Sequence, residues 1–105
     1  MPNAPLLDRK EVRIPMKMFV NLWSSDNPSF ELAPTIDISC HGARILTKRS
    51  WQPSERLSVR SIRGNLYSRG RIVYCQPSTG DSFVVGIEMY YPTGDWTTRD
   101  LKRTT

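Results

Sequence analysis

The chain has 105 residues, of which 38% are apolar and 24% charged, as in one ordinary soluble domain rather than two. Its net charge of +5, with eleven arginines against four lysines, is compatible with an anionic partner. The two cysteines, Cys40 and Cys75, are too few for a disulfide framework and match no zinc spacing. We therefore expect two free thiols and no metal site.

No targeting or membrane segment is expected from the sequence. The stretch from Met1 to Arg9 lacks an apolar core of signal-peptide length. No window approaches the roughly 18 consecutive apolar residues that a membrane helix needs. The predicted location is the cytoplasm.

In chain order, residues 1–15 are predicted to form a flexible N-terminal arm, and residues 16–105 the folded domain. Pro2, Pro5 and Pro15 argue against a long helix in the arm. Beyond it, alternating apolar residues indicate β-strands. The six predicted strands cover residues 16–23, 30–39, 43–47, 56–62, 66–75 and 82–89.

The segments between these strands are rich in turn residues. Trp51, in the loop at 48–55, is expected to pack back onto the core. Asp95 is a suitable N-cap for a short C-terminal helix ending near Arg103. Six short, evenly spaced strands with almost no helix predict an all-β antiparallel barrel or sandwich.

A polar pair stands at the end of the second strand. Strand side chains alternate between faces, so Asp37 and Ser39 are predicted on one face, about 7 Å apart, with Ile36 and Ile38 on the other. Gly42 allows a turn or a close approach. A carboxylate beside a hydroxyl suits a ligand with neighbouring N–H donors.

Catalysis has little support in the sequence. The single histidine, His41, follows Cys40, and adjacent strand residues point to opposite faces, which makes a poor nucleophile–base pair. Both are assigned to the turn. The sequence contains no glycine-rich phosphate loop, and we expect the protein not to be an enzyme.

Two motifs in order resemble the PilZ domain family. The first is Arg9-Lys10-Glu11-Val12-Arg13, and the second, one strand later, is Asp37-Ile38-Ser39-Cys40-His41-Gly42. Either motif by itself has a simpler interpretation, the first as a solvated tail and the second as a turn. It is their occurrence together, in this order, that resembles the family. Segments 70–74 and 85–89 and Trp96 are also similar to the family's later strands and C-terminal tryptophan.

The resemblance implies a six-stranded antiparallel β-barrel that binds cyclic di-GMP, a bacterial second messenger. Arg9 and Arg13 would pair with guanine edges or phosphates, and Asp37 would accept hydrogen bonds from guanine N1–H and N2–H₂. Ser39 would add a hydroxyl contact, and Gly42 would leave room for the ligand.

Further contacts are predicted at three positions. Lys10 and Arg44 are candidates for phosphate contacts, although a solvated charge is the simpler expectation for each. Tyr74, where relatives often carry Trp, offers an edge or a stacking surface, with core packing as the alternative.

Three positions depart from the family pattern. Asp8 stands where relatives often have a basic residue, and it lowers the local positive charge. Ser54 replaces a common turn glycine and Met89 a common Phe, which affects packing more than function.

The predicted function is that of a cyclic di-GMP receptor without a cofactor. Ligand binding would order the arm on the barrel, and a downstream protein, which the sequence does not name, would bind the altered surface. One alternative is an interaction adaptor of the same fold with weak or no nucleotide binding. Another is a basic barrel that binds single-stranded nucleic acid. Phe19 and Trp23, on one strand face with Lys17 and Asn21, are a weak match to the interleaved aromatic and basic residues of such a surface.

Overall fold

The computed structural model describes residues 12–26 and 30–94, and a single antiparallel sheet runs through them. Its seven strands are β1 (Ile14–Pro15), β2 (Phe19–Ser24), β3 (Phe30–Ile38), β4 (Gly42–Thr47), β5 (Arg56–Ser61), β6 (Tyr67–Pro77) and β7 (Phe83–Thr93). Six of them, β2 to β7, correspond to the six predicted strands, whereas β1 lies in the segment predicted to be a flexible arm.

The sheet closes on itself. Its strand order is β1-β3-β2-β5-β6-β7-β4, and β4 also pairs with β3. Strands β2 to β7 therefore form a six-stranded antiparallel barrel, as predicted, and closure leaves their edges paired. The short strand β1 is an addition. It pairs with β3 at residues 37 and 38, whereas β2 pairs with β3 at residues 30–34.

Residues 12–26 and 30–94 contain no helix. In this part of the chain there is accordingly no helix that could cross a membrane. The predicted C-terminal helix, Trp96 and the arm residues up to 11, with Asp8 among them, lie outside the described residues.

The core lies inside the barrel and is built from alternate strand positions. Val20 and Leu22 of β2 and Leu57 and Val59 of β5 are buried, as their period-two spacing predicts. Trp51 reaches the core from the loop between β4 and β5 and is 1% exposed, which confirms its predicted packing.

One irregularity in the pairing of β3 with β4 matters for the site. The register shifts between Thr35 and Asp37, which breaks strict alternation. Ile36 is consequently 37% exposed while Ile38 is 4% exposed. The expectation that these two isoleucines share a face is therefore wrong, because a β-bulge adds a residue to one strand and re-aims its side chains.

Candidate functional site

Asp37 is bordered by a strand on each side. It pairs with Pro15 of β1 and with Arg44 of β4. Cross-strand partners have neighbouring side chains, so this register brings the N-terminal segment and β4 to one carboxylate. Arg13, two residues before Pro15, lies within reach of it.

Two arginines bind the two oxygens of this carboxylate. Arg13 donates from Nη1 to Asp37 Oδ1 at 2.9 Å, and Arg44 donates from Nε and Nη2 to Oδ2 at 2.9 and 2.5 Å. The Asp37 side chain is 7% exposed, whereas those of Arg13 and Arg44 are 52% and 42% exposed. A covered carboxylate therefore holds two guanidinium groups at the surface.

The ion pairs keep Asp37 ionised. The hydrogen bond from Arg44 is the main reason that the pKa of Asp37 lies below its ordinary value, with the charges of Arg44 and Arg13 adding to it and burial opposing it. The same hydrogen bond is the main cause of the raised pKa of Arg44. Two cations around one anion leave a net positive charge, which favours an anionic ligand.

Tyr74 extends the site along the barrel surface. Arg44 pairs with Gly86 of β7, and Gly86 pairs with Tyr74 of β6. Tyr74 is half-buried, and its phenol also favours the charged form of Arg44, which raises the pKa of that arginine further. An aromatic ring therefore adjoins the arginine cluster.

Ser39 and Gly42 form the turn between β3 and β4. The Ser39 backbone N–H donates to the Gly42 carbonyl at 2.9 Å, and its hydroxyl lies 3.4 Å from the same oxygen. A Cβ on residue 42 would lie 2.9 Å from the Ile87 carbonyl oxygen, closer than a side chain tolerates. The glycine is thus required by the neighbouring strand, and its contact with a ligand stays a prediction.

Cys40 and His41 lie exposed in this turn, as assigned from the sequence. The carbonyl of His41 accepts a hydrogen bond from the Met89 backbone at 2.8 Å, which ties the turn to β7. Cys40 and Cys75 are free thiols. Among the described residues, no three His, Cys, Asp or Glu side chains are grouped as metal ligands would be.

The structure thus brings together Arg13, Asp37, Arg44 and Tyr74, with Ser39 and Gly42 in the adjoining turn, while Arg9 and Lys10 lie outside the described residues. The simpler expectation for Arg44, a solvated charge, is wrong because Asp37 binds its guanidinium. Sequence reasoning missed this pair. Opposite charges on the two arms of a hairpin were the signal that could have found it.

The fold and site define a small closed barrel with a cationic, arginine-based binding site on its surface. The PilZ domain family matches residues 7–101, nearly the whole chain, and this protein belongs to that family. PilZ domains are generally cyclic di-GMP-binding modules rather than enzymes. No curated protein matches the chain.

Proposed function

We propose that this protein is a cytoplasmic receptor for cyclic di-GMP and that the ligand binds around Asp37. The observation that carries the proposal is the pairing of Asp37 with both Arg13 and Arg44. The Asp37 carboxylate holds the two guanidinium groups in place before a ligand binds. Binding then costs less conformational entropy of these side chains, and such preorganisation favours affinity.

The chemistry of the ligand matches these groups. Cyclic di-GMP carries two phosphates and two guanines, and a guanidinium can pair bidentately with phosphate or with guanine O6 and N7. Arg13 and Arg44 would take these roles, with Arg9 joining from the arm. An ionised carboxylate accepts about four hydrogen bonds, so Asp37 can hold its arginines and also accept from a guanine N–H.

The neighbouring groups would complete the site. The hydroxyl of Ser39 would contact a base or a phosphate, and the Tyr74 ring beside Arg44 would border a base. Lys10 would add a phosphate contact from the arm. Residues 14 and 15 of the arm already pair with β3 as β1. Docking of the rest of the arm against the barrel on ligand binding would then change the surface that a downstream protein binds.

The direct test is calorimetric titration of cyclic di-GMP into the wild type and the variants Arg13→Ala and Asp37→Ala. Each bidentate contact contributes roughly 1–3 kcal/mol, so each variant should bind about tenfold more weakly or worse. Arg60→Ala is a matched control because Arg60 is an exposed arginine of β5, a strand that pairs with neither β3 nor β4. Wild-type protein that fails to bind at high micromolar ligand would refute the proposal.

A further inference from the structure

A second cationic surface lies on the outside of β5, β6 and β7. These strands contain four arginines, Arg56, Arg60, Arg69 and Arg71, and no lysine. Their one carboxylate is Glu88, which pairs with Arg71 at 2.9 Å. The outward positions of the three strands therefore carry an excess of positive charge, separate from the arginines around Asp37.

The register places like charges together. Arg56 lies directly opposite Arg71, and Arg69 lies between Ser58 and Tyr90 on the neighbouring strands. Like charges directly opposite each other destabilise a sheet. Glu88 offsets the charge of Arg71, but these three strands carry no further carboxylate for Arg56, Arg60 and Arg69. An anionic partner would relieve this repulsion, so the arrangement favours binding from outside.

A concave region lies within this surface. An open depression of about 560 Å³ is lined by Arg56, Ser58, Arg69 and Tyr90, among others. Tyr90 is an exposed lining residue, and arginine and tyrosine are among the residue types that contribute most energy at protein interfaces. The depression can receive a carboxylate side chain between two guanidinium groups.

Tyr67 is already engaged within this surface. The guanidinium of Arg60 lies 5.2 Å from its ring centroid, within cation–π range. The hydrogen bond with Ser58 is the main cause of the lowered pKa of Tyr67, and Arg69 contributes further. Tyr67 is 36% exposed, but Arg60 already lies within cation–π distance of its ring. Less of that ring is therefore available for stacking on a nucleobase, which favours a protein partner over single-stranded nucleic acid.

An exposed apolar area adjoins the arginines on the other side. On β2, Trp23 lies between Ser58 of β5 and Phe30 of β3, and Asn21 lies between Arg60 and Leu32. Phe30 is 65% and Leu32 55% exposed. Neighbouring exposed apolar side chains mark contact surfaces, and a protein segment can match both an apolar and a cationic area.

We propose that the outer face of β3, β2, β5, β6 and β7 is a docking surface for an acidic protein segment that carries apolar side chains. Its carboxylates would pair with Arg56 and Arg69, and its apolar residues would cover Phe30 and Leu32. The inference stands apart from cyclic di-GMP binding because none of these residues belongs to the arginine–carboxylate site around Asp37.

The test measures, by fluorescence anisotropy, the affinity of a short labelled peptide. In this peptide every second residue is glutamate, and the positions between are serine or leucine. Arg56→Gln/Arg69→Gln should bind it about tenfold more weakly, because charge-assisted contacts are lost. The control Lys17→Gln/Lys48→Gln removes two exposed lysines outside the arginine-bearing strands and should change affinity less than about twofold. Leu32→Ser should weaken binding without disturbing the core.

Two further probes decide the partner class. Replacing glutamate by glutamine in the peptide should abolish binding, and labelled oligothymidylate should bind more weakly than the acidic peptide. The proposal is overturned if the peptide does not bind, if both double variants lose affinity equally, or if oligothymidylate binds more tightly. Cyclic di-GMP titration of Arg56→Gln/Arg69→Gln should give the wild-type result, which separates failure of this surface from failure of the ligand site.

Discussion

The ring of Tyr74 lies over the backbone of Gly86. A Cβ built on Gly86 would lie 2.3 Å from Cε2 and 2.7 Å from Cζ of that ring, so only glycine leaves the space that the tyrosine occupies. Because Gly86 is also the cross-strand partner of Arg44, this contact sets where the aromatic ring meets the arginine cluster.

Gly86→Ala should therefore displace the Tyr74 ring and lower stability by about 1–2 kcal/mol, as overpacking does. The ring is only half-buried and can rotate outward, which limits the cost. Urea denaturation measures the change in the free energy of unfolding. The same substitution should weaken cyclic di-GMP binding, because the ring no longer borders Arg44.

A double-mutant cycle isolates this contact. In a Tyr74→Ala background, Gly86→Ala should cost less than about 0.5 kcal/mol, because the clashing atoms are gone. An equal cost in both backgrounds would mean that the backbone of β7, and not the ring, requires glycine at this position.

Arg44 provides a second prediction, on affinity. Arg44→Ala should weaken cyclic di-GMP binding about tenfold or more, since a bidentate contact contributes roughly 1–3 kcal/mol. Arg44→Lys keeps the charge but lacks the planar fork, so its affinity should lie between those of the wild type and Arg44→Ala. Calorimetry at the same salt concentration for all three proteins tests this order of affinities. Unchanged affinity in both variants would show that Arg44 does not contact the ligand.

The sequence predicted an all-β antiparallel barrel or sandwich because its strands keep a clear period of two, and the resemblance to the PilZ family selected the six-stranded barrel. Val20, Leu22, Leu57 and Val59 face inward as expected. The two motifs also selected Arg13 and Asp37, which the structure joins by an ion pair.

Register and strand irregularities account for what the sequence did not predict. The shift between Thr35 and Asp37 inserts a residue that no hydrophobic pattern marks, so Ile36 turned outward against expectation. The Arg44–Asp37 pair depends on the register of the β3–β4 hairpin. The contact of Tyr74 with Gly86 depends on long-range pairing of β6 with β7, where another register shift precedes Tyr74.

Trp51 gives a prediction about the core. Its ring is buried beneath the Arg49 guanidinium, 3.8 Å from the ring centroid, and its Nε1 donates to Glu31 at 3.3 Å. Trp51→Ala should lower stability by about 3–5 kcal/mol, as large cavities do. Phe30→Ala, at an exposed aromatic, should cost less than about 0.5 kcal/mol. Similar costs for the two in urea denaturation would contradict the burial of Trp51.

Asp37 gives a prediction about pH. The pKa of this carboxyl is lower in the folded protein than its ordinary value, chiefly through the hydrogen bond from Arg44. Stabilisation by the ionised form is therefore complete above the unfolded pKa of about 3.9, and it is lost as the pH falls through the folded pKa.

Asp37→Asn should accordingly be less stable than the wild type by about 1–2 kcal/mol near neutral pH, a modest value because both arginines are half-exposed. The difference should persist to about pH 5 and shrink as the pH falls further below the unfolded pKa. Urea denaturation across this range provides the measurement. Glu88→Gln, which removes the exposed pair with Arg71, is the control and should cost less than about 0.5 kcal/mol. A difference between Asp37→Asn and the wild type that stays constant down to strongly acidic pH would show that ionised Asp37 does not stabilise the fold.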